Sequence, residues 1–206
     1  MNSEALFQNM WKGNNTMAEK ELTIRKYRPE DKENLITVLY ETSSMPIETE
    51  VQREFLRLMF NDYYTEQEPE NCFVVADAED NAVGYILCAE DYDTYERVFK
   101  EKYLPRVKKL GISYTAIVWA EFFVHKIFKK QYPSHLHIDI LPICQGKGAG
   151  SQLVEALCAH LKEKNSCGLM LSCGSANKGA LRFYSRNGFI KKVNIFGNCL
   201  MCRNLK

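Results

Sequence analysis

Residues 135 to 161 narrow what this chain can become more than any other stretch, because a strand pattern there runs through a glycine-rich turn straight into a helix pattern. His135-Leu136-His137-Ile138-Asp139-Ile140-Leu141 alternates polar and apolar side chains with the period-two spacing of a half-buried strand, and Pro142 stops it. Gln145-Gly146-Lys147-Gly148-Ala149-Gly150-Ser151 follows, after which Leu153, Val154, Leu157 and Leu161 mark the apolar face of a helix. A turn of this kind gathers unpaired backbone N–H groups at the positive end of a helix dipole, where phosphate oxygens bind. Glycine is required because a Cβ would block the turn or hold a pyrophosphate off the backbone, and Lys147 adds positive charge at the rim.

A glycine-rich turn before a helix does not decide function alone, since dinucleotide folds, P-loops and plain structural turns share the same physics. The GxGxxG order is missing here, the turn lies far from the N-terminal first strand of a dinucleotide fold, and no GxxxxGK[ST] string occurs.

The rest of the chain reads as a mixed α/β domain. Leu22-Thr23-Ile24-Arg25 is a short strand, and a helix enters after Pro29-Glu30-Asp31 with Leu35, Ile36 and Leu39 buried. A second helix follows Pro46, with Val51, Phe55, Leu58 and Met59 on its apolar stripe. Strands at 72–76 and 83–88 make a hairpin across an acidic turn. Residues 91 to 132 form an aromatic-rich, mostly helical insertion, broken at Pro105 and Gly111, that reads first as core packing and second as a lid over an acceptor site. Strands at 169–173, 190–195 and 200–203, and a helix from Lys178 to the cap at Asn187-Gly188, complete the pattern.

Two motifs together resemble the GNAT N-acetyltransferases. Gln145, Gly148 and Gly150 match that family's loop fingerprint, and Asn177, Ala180, Phe183-Tyr184 and Gly188-Phe189 match its C-terminal signal. The entry segment Leu22 to Asp31 is also similar, so the resemblance spans roughly residues 21 to 206. It implies the GNAT fold, a mixed, mostly antiparallel sheet flanked by helices, with acetyl-CoA as co-substrate. Residues Gln145, Gly146, Lys147, Gly148, Ala149, Gly150 and Ser151 would then hold the pyrophosphate through backbone N–H groups. The strand around Ile138, Ile140 and Leu141 would pair with the pantetheine arm, and would splay from the strand at 169–173 to admit the thioester. Asn177 would hydrogen-bond the pantetheine, with Ala180 and Phe183 beside the cofactor, and Tyr184 would protonate the departing thiolate.

An acceptor ammonium with a pKa near 10 must lose a proton before its nitrogen attacks. His137 and Asp139, on one face of the strand, are the candidate bases, with His135 a step further back. Cys144 and Cys173 have no base at a recognisable spacing, which argues against covalent catalysis. A narrower likeness runs over Tyr132 to Pro142, where the chain is similar to the acetyltransferase-like domain attached to some O-GlcNAcases and its bacterial relatives.

Composition sets the remaining bounds. Lys and Arg number 27 against 26 Asp and Glu, so the overall field offers no attraction to nucleic acid or to an anionic membrane. Eight cysteines contain a single CxxC, Cys199 and Cys202, without partner histidines, so neither a zinc site nor a disulfide framework is expected. No apolar run reaches the length of a membrane span. We expect a cytoplasmic enzyme, a monomer or homodimer, with a flexible arm at 1–20 and one domain at 21–206. Its acceptor would be a primary amine on a small molecule or peptide; the competing expectation is a non-catalytic CoA-binding or protein-interaction module with the same fold.

Overall fold

The computed structural model describes residues 22–206, so the expected arm at 1–20 lies outside the described residues. Among the described residues seven strands form one sheet in the order β1-β2-β3-β4-β5-β7-β6. They are β1 (Thr23–Lys26), β2 (Phe73–Ala76), β3 (Ala82–Ala89), β4 (Ser134–Ile140), β5 (Gly168–Gly174), β6 (Ile190–Ile195) and β7 (Asn198–Asn204). Every neighbouring pair is antiparallel except β4 and β5, which run parallel, so the sheet is mixed and mostly antiparallel as expected.

Strand alternation divides the apolar side chains into two cores, one on each face of the sheet. Val74, Tyr85, Leu87 and Met170 face the side covered by α1 (Lys32–Thr42), α2 (Glu50–Arg57), α3 (Tyr63–Gln67), α4 (Tyr92–Val98), α5 (Leu104–Leu110) and α6 (Ile112–Phe128). Val75, Ile86, Leu169 and Leu171 face the side covered by α7 (Ala149–Glu163) and α8 (Lys178–Arg186). The period-two rule therefore assigns each residue of β4 to one core or the other.

Two helical details differ from expectation. Val51 is exposed, and α2 instead buries Phe55 and Leu56 before a π turn, Leu58–Asp62, leads into α3. Pro105 does not break the insertion: a second π turn, Phe99–Tyr103, widens the helix just before it, and α5 continues beyond. A proline ring clashes with the carbonyl one turn earlier, and the wider turn relieves that conflict. The interruption falls at Gly111, whose φ of 142° an L residue rarely adopts. Tyr92, Tyr95, Phe99, Tyr103 and Phe122 are all buried in the first core.

The feature that positions the site is the meeting of β4 and β5. They share only the pairs Ser134↔Leu169 and His135↔Met170, after which β4 stays with β3 and β5 stays with β7. Beyond His135 the two strands part, opening a wedge in the middle of the sheet.

Candidate active site

A cleft of about 640 Å³ lies at this wedge. Its floor is the turn between β4 and α7. Gly146 and Gly148 sit at φ 78° and 83°, left-handed values that let the chain reverse within a few residues. Gly148 is also the N-cap of α7, and the first bond of that helix runs from the Gln152 N–H to the Gly148 carbonyl at 3.2 Å. The N–H groups of Ala149, Gly150 and Ser151 precede that bond, so they are the helix's unpaired first-turn donors. Gly150 answers a different demand: a Cβ there would stand 3.0 Å from the Phe183 ring and 3.3 Å from Ile140 Cδ1. The Gln145 side chain donates to the Ile140 carbonyl at 2.9 Å and ties the turn to the end of β4.

α8 forms the far wall. Asn177 caps it, its Oδ1 accepting from the Ala180 N–H at 2.9 Å, so Nδ2 is what its side chain can offer a ligand. Phe183 and Tyr184 lie with ring centroids 5.3 Å apart, and Phe189 packs against Tyr184 from below. Burial pushes the Tyr184 phenol above its usual range, with the Asp139 and Cys173 charges adding to the shift, so the hydroxyl stays protonated.

Asp139 reaches the same cleft from the other face of the sheet. It is half-buried, and its Oδ2 accepts from the Tyr85 hydroxyl at 2.8 Å. Burial raises its carboxyl to about 6, against the opposing pull of Tyr85 and Thr42. Tyr184 belongs to the core under α7 and α8, whereas Tyr85, the partner of Asp139, belongs to the core under α1 to α6. Only the parting of β4 and β5 lets groups from both faces line one space.

Of the residues singled out from sequence, Ile138, Asp139, Ile140, Gln145, Gly146, Gly148, Ala149, Gly150, Ser151, Asn177, Ala180, Phe183 and Tyr184 line the cleft. Leu141, Lys147 and His137 do not. The Leu141 N–H is engaged with the Val83 carbonyl at 3.0 Å, which leaves it paired to β3. The His137 ring packs edge-on against Phe60 at 4.9 Å and Tyr64 at 5.3 Å, and burial pushes its pKa down to about 3. Between the two candidate bases, then, only Asp139 meets the cleft with a basicity suited to neutral pH. His135 is buried, its Nε2 2.8 Å from the Tyr64 hydroxyl, and serves packing. Cys144 lines the cleft and Cys173 does not; burial raises both thiols, the opposite of an activated nucleophile. No residue between 91 and 132 lines the cleft, so the lid reading of that insertion finds no support in the geometry.

Sequence reasoning missed Thr42, Gly179, Arg182, Arg186 and Asn187. Lys178, Arg182 and Arg186 recur every four residues on α8, a basic stripe that was there to be read. Thr42, at the end of α1, carried no such signal because only the tertiary fold brings it to Asp139.

Among the described residues no group of three or more His, Cys, Asp or Glu is arranged to hold a metal ion, and no helix is long and apolar enough to cross a membrane. Residues 36–189 match the model of the acetyltransferase (GNAT) family. The chain is similar to the crystal structure of SsHAT, at 27% identity over 90% of this chain and 99% of that one, with a TM-score of 0.80. It shares the fold of a variant agmatine N-acetyltransferase in its apo form (16% identity, TM-score 0.61, 89% and 99% of the two chains). The same holds for the NatC complex bound to Gag peptide and CoA (15% identity, TM-score 0.58, 90% and 99%). With the family model covering most of its length, and a split sheet and glycine turn to match, the chain belongs to the GNAT family of acetyltransferases.

Proposed function

We propose that this protein is a cytoplasmic enzyme that transfers the acetyl group of acetyl-CoA to a primary amine, on a small molecule or a peptide, by direct attack in a ternary complex. The N–H groups of residues 146 to 151 receive the pyrophosphate, with Arg182 and Arg186 adding positive charge on the same cleft. The backbone of β4 near Ile138 and Ile140 runs beside the pantetheine arm, Asn177 donates to it, and Ala180 and Phe183 pack on it. Asp139 takes a proton from the acceptor ammonium, directly or through a water. The amine nitrogen then attacks the carbonyl carbon, a C–N bond forms, the C–S bond breaks, and the nitrogen's second proton leaves through water, which makes good the proton that Tyr184 gives up. Tyr184 gives its hydroxyl hydrogen to the departing sulfur, burial having kept the phenol in its protonated form.

The observation that carries this reading is that Asp139 and Tyr184, from opposite faces of the sheet, line one cleft. The agmatine and peptide named in two of the structural neighbours make both kinds of amine reasonable acceptors to try. The likeness of residues 132–142 to the acetyltransferase-like domain of O-GlcNAcases belongs to the same reading and adds protein-borne amines to the trial.

A thiol-release assay with acetyl-CoA tests the proposal against a panel of amines, amino acids, aminoglycosides and peptides. The expected result is CoA release that depends on one class of amine, with an acetylated product by mass spectrometry. CoA binding by calorimetry with no amine-dependent release across the panel would instead favour a non-catalytic CoA-binding module.

A further inference from the structure

We propose that the outward face of α6 is a twofold interface between two copies of this chain. α6 reads Ile-Ser-Tyr-Thr-Ala-Ile-Val-Trp-Ala-Glu-Phe-Phe-Val-His-Lys-Ile-Phe, and its apolar residues do not keep to one side. Val118, Phe122, Val124 and His125 face the core. On the opposite side Ile112 is 89% exposed, Trp119 44%, Phe123 57% and Ile127 55%, with Ala116 and Ala120 between them. A helix that is apolar all round needs cover on both faces. Three charged neighbours of the stripe are engaged within the chain: Lys126 pairs with Glu96 at 2.7 Å, Glu121 lies 3.3 Å from His125, and Lys100 pairs with Glu96 at 2.5 Å while its ammonium lies 5.1 Å from the Trp119 ring centroid.

The spacing of the stripe suits a second copy of the chain. Positions 112, 116, 119, 120, 123 and 127 are symmetric about a point midway between 119 and 120. Two copies of α6 packed antiparallel about a twofold axis at that point therefore set Ile112 against the partner's Ile127. Ala116 faces the partner's Phe123, and Trp119 faces the partner's Ala120. Each ring meets a small side chain, the complementarity an isologous interface requires. The large side chains of the stripe expose on the order of 500 Å² per chain, so pairing removes on the order of 1,000 Å² from water, enough for a specific association at the lower end of the range. α6 contributes nothing to the cleft, so the pairing leaves both catalytic sites open.

Sedimentation equilibrium on the full chain tests this. The expected result is a reversible dimer at micromolar concentration. Phe123→Glu and, independently, Ala116→Glu should each weaken it by on the order of 100-fold, since each sets a charge in the middle of the buried stripe. Both positions are solvent-exposed in the single chain, and circular dichroism checks that each variant folds. A wild-type chain that stays monomeric up to about 100 μM, a dissociation constant too weak for a stable dimer, overturns the proposal. A dimer that both folded variants leave intact overturns it as well, because the contact then lies elsewhere.

Discussion

The Tyr85 hydroxyl donates a hydrogen bond to Asp139 Oδ2 at 2.8 Å, across the β3–β4 pair in which the two residues stand opposite each other in register. Burial raises the carboxyl and this bond lowers it, leaving the group near 6, low enough to be a base at pH 7 and high enough to hold a proton once taken. Tyr85→Phe removes the bond and keeps the ring. The acid limb of the pH dependence of kcat/KM should then move upward by about one pH unit, because the ionised carboxylate has lost a donor. An acid limb that does not move means that Asp139 is not the group being titrated.

The same burial makes Asp139 a cost to the fold. Its carboxyl ionises near 3.9 in an unfolded chain and at about 6 in the folded one, so the folded state holds the proton more tightly. The associated stability is fully present below about pH 4 and is lost as the pH rises through about 6. Asp139→Asn keeps an acceptor for Tyr85 without the charge. It should stabilise the protein by about 2 kcal/mol at pH 8 and have little effect at pH 4. Urea unfolding at the two pH values reads the difference, and equal effects at both would remove the buried charge as the cause.

At Gly148 a Cβ would not block the turn, but it would stand where a pyrophosphate must approach the backbone. No atom lies within 4 Å of where a Cβ would stand, so nothing in the protein is blocked; the constraint is the φ of 83° at the helix N-cap and the open space in front of it. Gly148→Val strains that conformation by roughly 1–3 kcal/mol and fills the space. Calorimetry should show acetyl-CoA binding weakened at least about 10-fold with the circular dichroism unchanged.

How far the sequence led depended on how local each signal was. Alternation and helical spacing placed the seven strands and the chain order of the main helices, because a period of two or of three to four needs no knowledge of the rest of the molecule. The glycine turn and the Asn177 cap were legible for the same reason. The choice between His137 and Asp139 was not, since both lie on one face of β4 and only the packing of Phe60 and Tyr64 over His137 separates them. Thr42 and Tyr85 reach Asp139 through tertiary structure alone. Pro105 misled because a π turn, which has no sequence periodicity of its own, absorbed the proline.

Phe183 and Tyr184 are neighbours in sequence but should fail differently. Phe183→Ala removes packing area beside Gly150 and Ile140, so it should raise the KM for acetyl-CoA more than it lowers kcat. Tyr184→Phe removes only the hydroxyl and should lower kcat by about 10² or more with KM nearly unchanged. Steady-state kinetics on the two variants reads the split. A wild-type kcat in Tyr184→Phe, where chemistry limits the rate, would return Tyr184 to a packing role.

In the proposed mechanism the wedge between β4 and β5 brings a base from one face of the sheet to a thioester held on the other. Single-turnover acetyl transfer by Asp139→Asn, followed from pH 7 to pH 10 with the acceptor found by the thiol-release panel, tests it most directly. At pH 7 the rate should fall by about 10² to 10⁴, and it should recover toward wild type near pH 10, where the amine loses its proton unaided. Wild-type rates at pH 7, or a loss that stays constant to pH 10, would contradict the assignment of Asp139 as the base.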